Sequence, residues 1–308
     1  MVILPPDDHL KEHMSHFLPG PQVLNDFSPG FFLISAPHVC GGSDSPSLVV
    51  VVPSVVYHWE IRAAIRATWG SPARGKLWPG HTHRLSVKLV FVFGVTDKKG
   101  SRDLHEESQR YGDIVQGDFH DNYRNLSIKT AAALQWSDTH CPGAKHVLKV
   151  DEDTFVNIPL LMEVLDYMSS LKLKFVLGHR HSSVRPRVAR AGRWAVDHAL
   201  YPFSEFPAYL YGHSYVVSRG AVPDLLFAFK RRPLMPNEDV LFTGVLASAM
   251  GVTRIHSHSF AHVSDRQRNA TWCEEARGLR VSRTLFRSAS AILNMWFDII
   301  LRRCHGDV

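Results

Sequence analysis

A run of apolar, mostly β-branched residues at positions 48–52 ends at Pro53 and is the first strong pattern along the chain. A continuous run of this kind predicts a strand that is buried on both faces, as in a parallel sheet. Residues 58–68 follow with apolar positions at helical spacing, and a second apolar run at 89–95 predicts the next strand. The order strand, helix, strand is typical of a βαβ unit.

The same alternation continues further along the chain. Strands are predicted at residues 113–116, 146–150, 175–178 and 215–217. Helices are predicted at 126–137, at 159–167, from Asn237 to about Met250, and at 289–301. We therefore expect an α/β fold in which a Rossmann-like, mostly parallel central sheet is flanked by helices.

Residues 1–46 differ from the rest because prolines and glycines interrupt them repeatedly. This composition is typical of a stem or linker, poorly ordered or draped over a domain, so we place the globular domain at residues 47–308. The longest early apolar stretch, residues 31–39, contains Ser35, Pro37 and His38 and is shorter than the roughly 20 residues that cross a membrane. No signal-peptide pattern opens the chain, so we expect it to be soluble or to have lost an anchor.

Composition and charge narrow the classes of function. Hydrophobic residues make up 45% and charged residues 21%, which is ordinary for a globular domain with a sizeable core. The net charge is +6 and the pI about 9.2, without a long basic run, so nucleic-acid binding is not indicated. A nucleotide diphosphate ligand and a simply basic surface fit this charge equally well.

Cysteines and glycosylation sequons bear on the compartment. The chain has four cysteines: Cys40, Cys141, Cys273 and Cys304. They are too few for a disulfide scaffold, and no pair has the spacing of a zinc site. N-glycosylation sequons begin at Asn125 and Asn269, and together with an even number of cysteines they favour the secretory pathway.

Three carboxylates, Asp151, Glu152 and Asp153, directly follow one of the predicted strands. In an open α/β sheet, ligands bind beyond the carboxyl ends of the strands. Adjacent carboxylates repel one another and are stabilised by a cation, and oxygen-rich sites suit Mg²⁺ or Mn²⁺. The alternative is a solvated acidic turn, which the apolar residues on either side disfavour.

Glu238 and Asp239 open the helix predicted after Asn237. From spacing alone, interaction with the helix dipole is the favoured explanation of these carboxylates. A carboxylate held at that position can also act as a general base, so the second interpretation stays open.

Three histidines, His256, His258 and His262, follow a further short strand. One of them can supply an imidazole to a metal, either in a transferase or in a metal-dependent hydrolase. The chain has 19 histidines, so at least two of these three are expected to be bystanders.

Arg62 and Arg66 lie four residues apart on one face of a predicted helix, beside Trp69. They can contact a phosphate, or they can belong to a surface helix that buries the tryptophan. The basic loop at residues 180–193 is interpreted mainly as a solvated segment, with contact to a phosphate or an acidic acceptor as the alternative.

Aromatic residues and prolines alternate at residues 201–209, a stretch that includes Tyr201 and Tyr209. Together with Trp194, such residues can form flat apolar walls on which sugars stack. The equally open alternative is a packed loop without contact to a ligand.

Five motifs occur in an order that resembles the β1,3-galactosyltransferases and β1,3-N-acetylglucosaminyltransferases of glycosyltransferase family 31, and more distantly the Fringe enzymes. The motifs are RAAIRATWG at 62–70, DFHDNYRNLSIKT at 118–130, KVDEDTFVN at 149–157, YLYGHSYVVS at 209–218, and EDV at 238–240 with TG at 243–244. The resemblance spans about residues 48–256.

The resemblance implies a GT-A fold and an inverting transfer, in β1,3 linkage, from a UDP-sugar to a glycan on a glycoprotein or glycolipid. Galactose is favoured slightly over N-acetylglucosamine as the sugar of the donor. The resemblance also implies Mn²⁺ as cofactor and a type II Golgi membrane protein whose N-terminal anchor this chain does not show.

Site residues are carried over by their places in the motifs. Asp151 and Asp153 belong to the DxD motif, with Asp153 as the direct metal ligand and His258 favoured over His256 as its partner. Asp239 corresponds to the catalytic base. The other donor-side residues are Arg62, Arg66, Lys149 and Glu152. On the acceptor side we expect Glu238 and the aromatic residues Trp194, Tyr201 and Tyr209; Trp194 and Tyr201 lie outside the motifs and are chosen for their aromatic loops.

The chain departs from the family pattern at residues 210–214, where the family has a cysteine and small residues. His213 and Ser214 place larger side chains there, and we expect them to narrow the space near the sugar or the acceptor. This departure leaves open an alternative function as a non-catalytic luminal binding protein or chaperone with the same fold.

Overall fold

The computed structural model describes residues 1–27, 30–42, 45–261, 280–284 and 286–301. Over these residues it contains a nine-stranded sheet and a three-stranded sheet. The strands are β1 Val2–Ile3, β2 Phe32–Ile34, β3 Leu48–Pro53, β4 Val87–Val95, β5 Ile114–His120, β6 His146–Val150, β7 Phe155–Val156, β8 Phe175–Arg180, β9 Leu210–Ser218, β10 Thr253–His256, β11 Phe260–Ala261 and β12 Ser282–Arg283.

Helices cover both faces of the large sheet. They are α1 Met14–Phe17, α2 Trp59–Ala67, α3 Lys98–Tyr111, α4 Leu126–His140, α5 Ile158–Ser170, α6 Val222–Lys230, α7 Ala247–Ala249 and α8 Ala289–Leu301. A π-helical segment, Val240–Leu246, leads directly into α7. No helix in the described ranges is long and apolar enough to span a membrane.

The order of strands in the large sheet is β1-β10-β8-β9-β6-β3-β4-β5-β2. Strands β3, β4, β5, β6, β8 and β10 run in one direction, and β1, β2 and β9 run against them. The predicted α/β class with a mostly parallel central sheet is therefore confirmed. The antiparallel β9 lies between β6 and β8, so its N-terminal end meets their carboxyl ends.

Strand β3 shows why the sheet is buried on both faces. Val49 and Val51 enter one hydrophobic core, together with residues of α4 and α6, whereas Val50 and Val52 enter a second core with α2, α5 and α8. Side chains alternate between the two faces of a strand, so a run without polar interruption is compatible only with helices on both sides.

The helices that the sequence predicts are present, and α8 has the predicted bounds. Helix α3 was not predicted, because its sequence is almost entirely polar and only Leu104 packs deeply. Its ends carry clear signals: the Asp97 side chain accepts a hydrogen bond from the Gly100 backbone amide, and Gly112 adopts a positive φ at the C-terminus. The helix predicted from Asn237 is the π-helical segment followed by α7, and it ends at Gly251, which also has a positive φ.

The proline-rich segment that precedes β3 packs onto the domain over its described residues. Strand β1 pairs with β10, β2 pairs with β5, and Leu10 and Phe17 are buried. Asp7 forms a buried ion pair with Arg254, at 2.7 Å. Over its described residues, this segment is therefore draped over the domain.

A disulfide joins Cys40, within this segment, to Cys141 at the end of α4, and it closes 101 residues of chain. Cys273 and Cys304 lie outside the described residues. The bond ties the N-terminal segment to the helical layer.

Candidate active site

The three carboxylates predicted as a ligand site lie at the carboxyl end of β6. The Asp151 backbone amide donates to the carbonyl of His213 on β9, 2.9 Å away, and Thr154 closes the turn with a hydrogen bond to the Asp151 carbonyl. Burial, reinforced by the charges of Asp151 and Glu152, raises the pKa of Asp153 to about 6. A cation near Asp153 would relieve this repulsion and stabilise the ionised carboxylate.

Lys149 lies under this cluster and is almost fully buried. Its ammonium group is 2.6 Å from an Asp151 carboxylate oxygen and 3.4 Å from Glu238, and it donates to the carbonyl of Gly212. Burial alone would lower the pKa of Lys149, but Asp151 and Glu238 outweigh that effect and raise it. The structure therefore places the Lys149 ammonium in an internal network with Asp151, Glu238 and Gly212.

Glu238 is buried on the other side of Lys149 and accepts a hydrogen bond from the Tyr215 hydroxyl. Burial raises the pKa of Glu238, although Lys149 opposes that shift. We predicted that Glu238 contacts an acceptor, whereas the structure places its carboxylate in this internal network.

Asp239 follows Glu238 and is half-buried at the start of the π-helical segment. Its carboxylate accepts a hydrogen bond from the Val240 amide at 2.9 Å and another from the Gly212 amide, while burial raises its pKa. A Cβ on Gly212 would lie 3.2 Å from the Cβ of Asp239 and 3.3 Å from a Glu238 oxygen. Glycine at position 212 therefore allows the acidic pair to approach β9 closely.

Glu152 points away from Lys149 toward the loop after β3. It accepts hydrogen bonds from the Ser54 hydroxyl and the Val55 amide, and it pairs with the His58 imidazole. The Ser54 hydroxyl also accepts a hydrogen bond from Arg62, at 3.2 Å. This network fixes the acidic turn against the first βα loop, across 94 residues of sequence.

The two arginines predicted to bind the donor are buried and paired with protein groups. Arg62 donates to Glu107 at 2.9 Å and to the carbonyls of Val55 and Val56. Arg66 pairs with Asp113 at 2.7 Å, and Asp113 precedes β5, at the edge of the sheet opposite to the acidic cluster. The structure therefore connects Arg62 to the acidic turn through Ser54 and Val55, and it places Arg66 at the opposite edge of the sheet.

Histidines gather at the same edge of the sheet as the carboxylates, at the carboxyl ends of β8 and β10. The Nε2 atoms of His256 and His258 are 3.3 Å apart, and the ring of His179 lies 4.9 Å from that of His256. His256 Nδ1 accepts a hydrogen bond from the Arg180 amide, which leaves its Nε2 facing His258. Within the described ranges, no group of three or more candidate ligands is close enough to hold a metal as it stands. His262 lies outside those ranges.

The predicted aromatic walls divide into two groups. Trp194 is exposed, and its indole N–H donates to the Tyr123 hydroxyl at 3.2 Å. Tyr209 is half-buried close to Asp239, whose charge adds to burial in raising the tyrosine pKa. Tyr201 is only 1% exposed, and its hydroxyl donates to the Glu205 carbonyl inside an aromatic cluster. This buried position contradicts the prediction that Tyr201 contacts an acceptor.

Lys129 lies beside the carboxylate cluster but was not among the predicted site residues, although it belongs to the motif at 118–130. The buried Lys129 ammonium is 2.7 Å from Asp121 and donates to the Ser54 carbonyl at 3.0 Å. Burial lowers its pKa, and Asp121 opposes the shift. The position of Lys129 in a family motif was the available signal.

The departures from the family pattern at positions 213 and 214 are accommodated inside the protein. The Ser214 hydroxyl lies 2.8 Å from His213 Nδ1 and 2.7 Å from the Ser282 hydroxyl, and all three residues are buried. These side chains fill space between β9 and β12. We expected them to narrow the space near the sugar or the acceptor, whereas the structure places them in contact with each other and with Ser282 inside the protein.

The side chains of the first predicted glycosylation sequon form hydrogen bonds within the fold. The Asn125 side-chain amide donates to the His120 carbonyl at 2.8 Å, and the hydroxyl of Ser127 is buried against Met235. In this structure the sequon is therefore poorly presented for a glycan. Asn269 lies outside the described residues.

The described residues define an α/β protein with a cluster of carboxylates at the carboxyl ends of its strands. Residues 60–258 match the family model described as galactosyltransferase. That match covers more than half of the chain, so the chain belongs to the galactosyltransferase family, and the predicted family and fold class are confirmed.

Three curated relatives illustrate the similarity. Beta-1,3-galactosyltransferase 4 of Mus musculus is 34% identical over 73% of this chain and 66% of that protein. The Xenopus laevis lactosylceramide 1,3-N-acetyl-beta-D-glucosaminyltransferase B is 30% identical over 75% and 62%. The Mus musculus UDP-GlcNAc:betaGal beta-1,3-N-acetylglucosaminyltransferase 8 is 34% identical over 69% and 53%. The chain thus spans just under two thirds, or less, of the length of these relatives.

Proposed function

We propose that the chain is a UDP-sugar-dependent, inverting β1,3-hexosyltransferase that extends a glycan on a glycoprotein or glycolipid. The observation that carries the proposal is the placement of Asp239 and the Asp151–Asp153 turn at one edge of the sheet, joined through Lys149 and Gly212. The relatives named for galactosyl and N-acetylglucosaminyl transfer support it, with UDP-galactose favoured slightly over UDP-N-acetylglucosamine.

Asp239 is the proposed general base. Its carboxylate takes the proton of the acceptor hydroxyl while that oxygen forms a bond to the anomeric carbon. The bond from the anomeric carbon to the UDP oxygen breaks, and UDP leaves with the electron pair, so the configuration inverts. Burial raises the pKa of Asp239, and a raised pKa makes its carboxylate a stronger proton acceptor.

Mn²⁺ is the proposed cofactor, and Asp153 and one of His256 and His258 are its proposed ligands. The raised pKa of Asp153 and the facing Nε2 atoms of the two histidines support a cation at this edge. When bound, the ion would neutralise charge on the diphosphate leaving group. Asp151 and Glu152 are held by Lys149 and His58, so their proposed role is to position the turn.

A location in the Golgi lumen, with an N-terminal membrane anchor, is part of the same proposal. It rests on the relatives and on the Cys40–Cys141 disulfide, since such bonds persist in oxidising compartments.

The test is transfer from labelled UDP-galactose and UDP-N-acetylglucosamine to a glycan panel, with Mn²⁺ or with chelator. We expect Asp239→Asn to lower kcat by about 10²–10⁴-fold, while donor binding is kept. Asp166→Asn, at an exposed position of α5, is the matched control and should leave turnover unchanged.

Undiminished turnover of Asp239→Asn would remove that residue from its role, and full activity in chelator would exclude the metal. Donor binding without transfer to any acceptor would instead support the non-catalytic binding protein. Phosphoester hydrolysis without a sugar acceptor would support the hydrolase.

A further inference from the structure

Three exposed side chains form a continuous surface beside the helix that carries Asp239. Tyr123 is 47% exposed and Trp194 is 62% exposed, and a hydrogen bond joins their polar ends. The Arg193 guanidinium carbon lies 4.2 Å from the centre of the Tyr123 ring. We call Tyr123, Arg193 and Trp194 the Trp194 surface.

This surface is fixed to the base side of the site. The Trp194 carbonyl accepts a hydrogen bond from the Asn237 side chain at 3.2 Å, and Asn237 stands two residues before Asp239. The Asn237 carbonyl in turn accepts the amide of Leu241 in the π-helical segment. The Trp194 surface is therefore held in register with the proposed base.

The loop that carries Arg193 is anchored from within. Arg190 donates to the carbonyls of Val196 at 2.9 Å and Phe203 at 2.6 Å, so its charge stabilises the loop. The Arg193 guanidinium lies over the Tyr123 ring, and a guanidinium that contacts a ring in this way keeps N–H groups for a planar anion. Arg124, next to Tyr123, and Arg185 and Arg187 in the same loop are also exposed and add positive potential.

An exposed aromatic pair together with an arginine edge matches a specific ligand chemistry. The rings offer an apolar plane to the C–H face of a sugar, and the guanidinium offers paired donors to a carboxylate or a sulfate ester. We propose that the Trp194 surface is an acceptor subsite that selects glycans with an anionic group close to the sugar that receives the transfer. The proposal rests on the proposed function and names its substrate class.

The experiment measures glycan binding directly in the Asp239→Asn protein, so that it does not depend on turnover. The probes are one oligosaccharide in three forms: neutral, sialylated and sulfated. We expect the two anionic forms to bind about tenfold more tightly than the neutral form, and Arg193→Ala to remove that difference. Salt at about 0.5 M should weaken the preference, because the Debye length then falls to a few ångströms.

Matched variants separate this subsite from a general charge effect. Arg102→Ala removes the same charge from the exposed face of α3 and should leave the preference unchanged. Arg193→Lys keeps the positive charge but lacks the planar guanidinium, so it should retain only part of the preference for anionic glycans. The ratio of sialylated to sulfated binding identifies which anion the subsite prefers.

The proposal is overturned if the Asp239→Asn protein with Arg193 intact binds the neutral and anionic forms equally. It is also overturned if Arg193→Ala weakens UDP-sugar binding instead, because Arg193 would then serve the diphosphate. If the wild-type protein binds the anionic glycan but transfers no sugar to it, the proposed function is contradicted and the proposed subsite is not.

Discussion

Replacing Lys149 with methionine tests whether this buried ammonium holds the two halves of the site together. In the wild type it neutralises Glu238, which is 7% exposed, and it also contacts Asp151, which is more open to solvent. Lys149→Met keeps much of the volume and removes the charge. The variant leaves Glu238 buried without a cation, and the nearby Asp239 and Asp151 carboxylates have the same sign.

The expected loss of stability follows from the two ways in which Glu238 can respond. An uncompensated buried charge costs about 3–5 kcal/mol. Protonation avoids that cost, and each pH unit above the ordinary glutamate pKa of 4.5 adds about 1.4 kcal/mol. Protonating Glu238 therefore costs about 0.7 kcal/mol at pH 5 and about 5 kcal/mol at pH 8. We expect a loss of about 1 kcal/mol at pH 5 and at least about 3 kcal/mol at pH 8.

The sign is fixed by linkage. A carboxyl group whose folded-state pKa is raised binds protons in the native state that the unfolded state has released, so stability falls as pH rises above the unfolded pKa. In the variant this window begins near pH 4.5 and extends upward, because Lys149 no longer lowers the pKa of Glu238. The loss should therefore grow with pH.

Urea denaturation at pH 5 and pH 8 measures the effect, together with the change in Tm. Lys174→Met is the matched control: its ammonium is 56% exposed and pairs with Asp224 on the surface, so the loss should stay under about 1 kcal/mol at both pH values. Adding Glu238→Gln to Lys149→Met should recover most of the loss at pH 8. Equal losses at the two pH values, or no recovery in the double variant, would refute the reasoning.

Two further predictions concern the core away from the acidic edge. Burial lowers the pKa of His146 to about 4, so native stability should fall by about 3 kcal/mol as pH drops from 7 to 4, where the unfolded state binds the extra proton. His146→Phe should remove most of this dependence of the free energy of unfolding on pH. If urea denaturation shows the same fall in stability between pH 7 and pH 4 for the variant and the wild type, the assignment is contradicted. Replacing Cys40 and Cys141 by alanine together should lower stability by about 2–5 kcal/mol, because the bond closes 101 residues of chain. Thermal unfolding measures this loss, and a Tm within a degree of the wild type would show that the N-terminal segment is held without the bond.

Local patterns in the sequence were sufficient to predict the buried strands and the last helix. Strands β3, β4 and β6 are apolar because both faces are covered, and that requirement is visible in the sequence itself. Strand β9 has nine residues, of which three were predicted. Its first half was missed because it is polar and faces the site. Leu10 and Phe17 were hidden by the prolines and glycines around them, although both enter the core.

The partners of charged residues were not predictable from local patterns. Arg62 and Arg66 have the spacing of a phosphate-binding face, yet Glu107 and Asp113, more than 40 residues later, take up their charges. Lys149 was expected to face the donor because it belongs to the motif at 149–157. In both cases the outcome depends on which distant carboxylate the fold brings close, and burying an unpaired charge is so costly that such a partner is required.

The antiparallel strand β9 explains how the two halves of the site are connected. Its first residues reach the edge where β6 ends, and Gly212 there accepts a hydrogen bond from Lys149 and donates one to Asp239. The same residue has no Cβ, which would press against Asp239 and Glu238. If this strand ran parallel to β6 and β8, its carboxyl end would lie at this edge of the sheet. Position 212 would then lie several residues away from the acidic turn. The reversal of one strand is therefore what places the acidic turn and the proposed base on opposite sides of a single glycine.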